Sequence, residues 1–160
     1  MPITFRTELA PADTTAIRSL VESTGVFNAV ELDCAVELAD ERLQDGPACG
    51  YHFVFAELGG RVVGYACYGP IALTVGSYDL YWIAVDKSVQ GQGLGRRIMD
   101  QVAEIVRREG GRNIYIETST KPHYQATRGF YERCGCSLAA TLDDFYAPDD
   151  GKAIYCKKVD

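Results

Sequence analysis

Three glycines alternate in the stretch "VQGQGLGRR", Gly91, Gly93 and Gly95, and two arginines, Arg96 and Arg97, follow them. An apolar run, "YWIAV", stops just before, at Val85, and a helical pattern starts just after. Glycine adopts positive φ and has no Cβ, so a ligand can approach its backbone closely. Successive N–H groups of such a loop, with the free N–H groups of a helix's first turn, form an anion site. Arg96 and Arg97 add positive charge beside it. These residue types at this spacing suit recognition of a phosphate or pyrophosphate.

Known phosphate loops narrow the reading. A Walker A loop needs GxxxxGK[ST], which the chain lacks. A dinucleotide fingerprint needs GxGxxG after the first strand of a βαβ unit, whereas here the spacing is GxGxG and three strands are predicted before it. On the glycines alone, a purely structural strand-to-helix turn is the alternative. The six cysteines contain no CxxC pair, and the CxC at Cys134–Cys136 has only His52 and His123 to complete a ligand set. Reduced thiols and no metal are expected.

The elements that must hold this loop can be read from patterning. "PITFRTEL" reads as a strand, "PADTTAIRSLVEST" as a helix ended by Gly25, and "NAVELDCAVELADERLQDG" as a second helix. Val30, Cys34, Val36, Leu38 and Leu43 supply the second helix with an expected apolar face. "YHFVFAEL" and "RVVGYACYG" around Gly59–Gly60 read as a hairpin, and "SYDLYWIAV" as a strand. The helix after the glycines has Leu94, Ile98, Val102, Ile105 and Val106 at helical spacing. "RNIYIETS" (strand), "HYQATRGFYERCG" (short helix), "SLAATLDDFY" and "KAIYCKKV" (strands around an acidic loop "APDDG") complete the chain. The order is β-α-α-β-β-β-α-β-α-β-β, a single mixed α/β domain over residues 1–160 whose sheet cannot be all parallel.

Bulk properties exclude some functions. The chain has 160 residues, is 47% hydrophobic and 24% charged, and carries a net charge of −6. That composition suits one globular core. An acidic chain repels phosphate backbones, so no nucleic acid partner is expected. "MPITFRTELAPADTT" has no apolar signal region, and no apolar run approaches the roughly 20 residues of a membrane span. A cytoplasmic protein without a membrane partner is the expectation.

The wider string is more specific. Gln90-Gly91-Gln92-Gly93-Leu94-Gly95, directly after "LYWIAVD", fits Q/R-x-x-G-x-G/A and resembles the acetyl-CoA signature of the GNAT N-acetyltransferase superfamily. "TRGFYERCGC" resembles that family's "FYEKxGF" helix and turn, and the element order above is also the family's. The resemblance implies acetyl-CoA as cosubstrate, with Ile83, Ala84 and Val85 on the pantetheine arm and Gln90 to Gly95, with Arg96, on the pyrophosphate. It implies Tyr131 as the acid beside the CoA sulfur. Three positions depart from the family pattern: Tyr124 replaces a frequent asparagine, Thr127 an alanine and Cys136 a phenylalanine.

Acetyl transfer to an amine needs the neutral amine, so a carboxylate base is expected, direct or through water. Asp79, in the strand where some family members place a glutamate base, and Glu117, on the next strand, are the candidates. The resemblance implies direct attack on acetyl-CoA by an amine of a small molecule or peptide. Acceptor specificity would come from the N-terminal helices (Glu31, Asp33, Glu37) and the last loop. Asp143, Asp144, Asp149 and Asp150, with Phe145 and Tyr146, would suit a cationic amine over an aromatic face. A homodimer is compatible with this reading. The alternatives are an acyl-CoA-binding regulatory module without turnover and a small-molecule or peptide binder whose glycine turn is structural.

Overall fold

The computed structural model describes residues 2–160. Among them run β1 (Ile3–Arg6), α1 (Asp13–Ser23), α2 (Ala29–Asp45), β2 (His52–Leu58), β3 (Arg61–Pro70), β4 (Ser77–Val85), α3 (Leu94–Arg108), β5 (Asn113–Ser119), α4 (Gln125–Arg133), β6 (Ser137–Ala147) and β7 (Asp150–Lys158). This is the predicted order. The strands form one seven-stranded sheet, ordered β1-β2-β3-β4-β5-β7-β6. β4 and β5 pair parallel, while β1–β2, β2–β3, β5–β7 and β6–β7 pair antiparallel. No described helix is long and apolar enough to cross a membrane.

Residues group into two compact units, one of residues 1–69 and 82–102, the other of 70–81 and 103–160. In the first, Ile17, Leu20 and Val21 of α1 and Ala35, Val36 and Ala39 of α2 pack with Phe53, Phe55, Tyr65 and Cys67. Phe53, Phe55 and Tyr65 stack with centroids 5.8–6.4 Å apart. α2 begins with a capping box: Asn28 Oδ1 accepts from the Glu31 N–H and the Asn28 N–H donates to Glu31 Oε1. Its buried stripe differs from the one expected. Val30 is 77% exposed, and Leu43 and Cys34 are exposed, while the alanines at 35 and 39 face inward. Small side chains let α2 pack closely, and their low hydrophobicity hides the stripe from a pattern scored on bulk.

β1 is also shorter than "PITFRTEL". Its ladder ends at Arg6, whose guanidinium forks onto Asp13, Nη1 to Oδ2 at 2.9 Å and Nη2 to Oδ1 at 2.7 Å, and stacks 4.4 Å from the Phe55 ring. Burial would raise the Asp13 carboxyl, but the bonds from Arg6 and from the Ala10 N–H outweigh it and hold the group below its ordinary value.

The second unit is built on β5 and β7, with Ile114, Ile116, Ala153 and Tyr155 buried and Tyr131 of α4 against them. The acidic segment is less of a loop than expected, because β6 and β7 extend through most of it. Leu142 pairs with Lys152 and Ala147 with Asp150, so residues 143–146 bulge opposite the single residue Gly151. Asp144 sits at φ 54° in this bulge and Asp149 at φ 64° in the turn, and the Asp149 N–H donates to Asp144 Oδ1 at 2.8 Å.

Candidate functional site

The glycine loop belongs to the first unit. β4 ends at Val85, and Asp86 then caps a 3-10 turn, Lys87–Val89, by accepting from the Ser88 N–H at 2.9 Å and Ser88 Oγ at 2.6 Å. Buried Val89 anchors the turn, and the chain rises out through Gln90 to Gly93, all exposed. Gly91 and Gly93 lie at φ 81° and 77°, and a Cβ on either would meet no atom within 4 Å. Conformation, not packing, requires glycine there.

α3 starts at Leu94, and its first turn is closed by the Arg97 N–H to the Gly93 carbonyl at 3.2 Å. The N–H groups of residues 94–96 precede that bond and lie among the donors a helix leaves unpaired at its start. The first turn contains no acidic residue and two exposed arginines. Cations at the positive end of a helix are unfavourable unless an anion joins them. Gly64 of β3 lets this helix sit close to the sheet: a Cβ there would meet Ile98 Cδ1 at 2.7 Å and the Ala84 carbonyl oxygen at 3.3 Å. Leu94 is 4% exposed, so its side chain serves the core and only its backbone serves the loop.

Of the three β4 residues expected on pantetheine, Ala84 is buried and Ile83 and Val85 are half-buried. The Val85 carbonyl accepts from Gln90 Nε2 at 3.1 Å, a bond that ties the loop back to the strand. The β4–β5 ladder runs from Ser77–Asn113 to Leu80–Ile116 and ends there, although both strands run on.

The second unit carries the two carboxylates and the tyrosine. Asp79 pairs in register with Tyr115, so the two share a face, and Glu117 lies two residues further along that face. Glu117 is opposite Ile154, and Lys152, two residues from Ile154, is on the same side. Lys152 Nζ lies 2.8 Å from Glu117 Oε2, with the lysine side chain 11% exposed and the glutamate 50%. Burial and the nearby Glu117 charge raise the Asp79 carboxyl, and Lys152 partly offsets them.

Tyr131 is on the other face. Its ring lies 6.0 Å from that of Tyr155, which pairs with Ile116. α4 is held from its middle and its C-terminal end: Arg128 Nη1 donates to the Ser119 and Lys121 carbonyls at 2.8 and 2.9 Å, and Lys157 Nζ to the Cys134 carbonyl at 2.7 Å. Burial pushes the Tyr131 phenol well up, and it moves the Cys136 thiol up to about 11. The structure therefore brings Asp79 and Glu117 together and places Tyr131 across β5 from them.

The aromatic face expected to seat a substrate cation already holds one. Lys152 Nζ lies 3.7 Å from the Phe145 centroid and 5.9 Å from that of Tyr146. Asp150 bonds Ser119 Oγ and so joins β7 to the end of β5. Lys152 was not singled out from the sequence. Its inward position depends on the β5–β7 register, and the two strands are far apart along the chain.

The sequence model of the Acetyltransferase (GNAT) family matches residues 17–136. The chain belongs to the GNAT acetyltransferase family. A GNAT-family structure from Desulfovibrio desulfuricans superposes with a TM-score of 0.97 at 49% identity, covering 99% of this chain and 100% of that one. N-alpha-acetyltransferase RimI of Mycobacterium tuberculosis is 36% identical over 70 residues, 43% of this chain and 42% of that protein. The GNAT chain thus matches less than half the length of this curated relative. An aminoglycoside 6'-N-acetyltransferase complexed with coenzyme A shares the fold, with a TM-score of 0.77 at 17% identity over 100% of this chain and 98% of that one.

Proposed function

We propose that this single-domain GNAT chain moves an acetyl group from acetyl-CoA to a primary amine of a small molecule or peptide, by direct attack of the amine. The observation that carries the proposal is the loop from Gln90 to Arg96. Two glycines at positive φ, the N–H groups a helix leaves unpaired at its start, and two arginines in a first turn with no acidic residue make a cradle suited to a pyrophosphate. The coenzyme A complex of the aminoglycoside relative and the RimI match support the same ligand and an amine acceptor.

Acetyl-CoA, when bound, supplies an activated acetyl thioester. The backbone of Ile83, Ala84 and Val85 would align the pantetheine arm, with the Val85 carbonyl held by Gln90. Gln90 to Gly95 and Arg96 would fix the pyrophosphate. A carboxylate of the Asp79–Glu117 pair takes the amine's proton, and Asp79, raised by burial and by Glu117, is a stronger base than an exposed aspartate. Tyr131 donates to the departing sulfur. Its phenol, raised by burial, stays protonated at working pH and so has the proton to give. Acceptor and donor serve different atoms, and opposite faces of β5 keep them from exchanging the proton directly.

The test is an amine-acceptor panel with acetyl-CoA, read as released CoA by chromatography. Exposed Cys34 makes thiol reagents a poor readout. Turnover with at least one amine is expected. Binding of acetyl-CoA without release would identify a regulatory binding module, and absence of binding would refute the phosphate-loop assignment.

A further inference from the structure

Lys152 is a charged side chain with its residue 9% exposed, inside a face that also carries Asp79 and Glu117. A buried ammonium needs compensation. Glu117 provides it at 2.8 Å, and Phe145 adds a ring face at 3.7 Å. The seat itself comes from an irregularity: residues 143–146 bulge where β7 offers only Gly151, which brings Phe145 over Lys152. A lysine held by a carboxylate and a ring is fixed in place, and so is the carboxylate oxygen it holds.

We propose that Lys152 is a positioning residue of the acceptor face: it commits Glu117 to an ion pair and leaves Asp79 as the carboxylate that takes the amine's proton. This rests on the acetyl-transfer reading above and names the base within it. The Glu117 carboxylate already has a partner, with Lys152 Nζ 2.8 Å from its Oε2, whereas Asp79 makes no such ion pair among the described residues. Asp79 is half-buried on the same face. Its carboxyl is raised by burial and by Glu117 and lowered by Lys152, so the pair tunes it in opposite directions. The step is a single proton transfer, from the amine nitrogen to an Asp79 oxygen, with no other co-reactant. Other titratable groups facing this side are Tyr81, Tyr115, Cys156, Asp150 and, at the far end opposite Asn113, Lys158. Phenols and thiols do not ionise where carboxylates titrate, and Asp150 is tied to Ser119 Oγ.

The experiment is a carboxyl-carbon NMR titration of Asp79 in the full chain, assigned with Asp79→Asn, in wild type and in Lys152→Met, Lys152→Arg and Glu117→Gln. It needs no acceptor. The Asp79 midpoint should rise in Lys152→Met and fall in Glu117→Gln, each by at least about threefold in proton affinity, roughly half a pH unit. Lys152→Arg keeps the charge and should restore the wild-type value even where Lys152→Met is poorly folded. With an amine from the panel, the acidic limb of kcat/KM should move the same way, and Asp79→Asn should lower kcat far more than Glu117→Gln. An unmoved Asp79 midpoint in both charge variants overturns the proposal, and so does a Glu117→Gln loss as deep as that of Asp79→Asn. Absence of acetyl-CoA binding would instead sink the acetyl-transfer reading, while the titrations still decide the ion-pair network.

Discussion

Gly93→Ala separates two roles of a positive-φ glycine, conformational and ligand-facing. Gly93 sits at φ 77° with no atom within 4 Å of an added Cβ. Gly60, in the β2–β3 turn, is a matched control, at φ 81° with the same open space. Placing an L-residue in the left-handed region costs about 1 kcal/mol in either case, which for a chain of this size lowers Tm by about 2–4 °C. Here the two variants should agree. They should part in acetyl-CoA affinity. A Cβ at Gly93 stands where a pyrophosphate would meet the backbone donors, and a hydrogen bond to a charged group is worth about 1.5–3 kcal/mol. Losing one weakens binding at least about tenfold, 1.4 kcal/mol, whereas Gly60→Ala should bind as wild type. Calorimetric titration with acetyl-CoA, with melting curves on the same samples, measures both. Equal affinity in Gly93→Ala and wild type, or an equal loss in Gly60→Ala, would refute the assignment of this loop to the pyrophosphate.

Two further outcomes are expected. Tyr131→Phe keeps the ring that packs on Tyr155 and removes the proton donor, so kcat should fall by about 10- to 100-fold while acetyl-CoA affinity stays within about fivefold, a lost phenol hydrogen bond being worth about 1 kcal/mol. Full kcat in a folded variant would make Tyr131 a packing residue only. The second concerns pH and stability: Asp13 is held below its ordinary value in the folded chain, so its contribution is fully present above the unfolded aspartate value of about 3.9 and is lost as pH falls through the lower folded value. Asp13→Asn should cost about 2 kcal/mol at pH 7 and flatten the acid end of the Tm–pH curve, and a wild-type-like curve would show that the Arg6 fork adds little.

The parts of this molecule legible in its sequence are those where local pattern and local structure coincide. The α3 face is an example: Leu94, Ile98, Val102 and Val106 repeat at helical spacing and are all buried. The hairpin at Gly59–Gly60 and the loop at Gly91 and Gly93 needed positive φ, and each glycine has it. Illegible were features set by partners distant in sequence. Lys152 looks like one of several lysines near the C-terminus until β7 is registered against β5, and only then does it face Glu117. The bulge at 143–146 is equally hidden, because an alternating strand pattern does not show how many residues the partner strand supplies. In α2 the obstacle was side-chain size, since Ala35 and Ala39 are buried by close approach and not by hydrophobic bulk.

The same bulge has a bearing on solubility. β6 closes one end of the sheet and is exposed along its whole length, with Leu138, Leu142, Phe145 and Tyr146 open to solvent. A long apolar edge strand is a template for pairing with any other free β-edge, and so for polymerisation. Residues 143–146 interrupt that template. They bend the edge out of register, place the carboxylates of Asp143 and Asp144 on it, and draw Phe145 over an internal lysine. A continuous apolar edge becomes two short segments separated by two acidic residues, so the irregularity that seats Lys152 also interrupts the surface along which two such edges could pair.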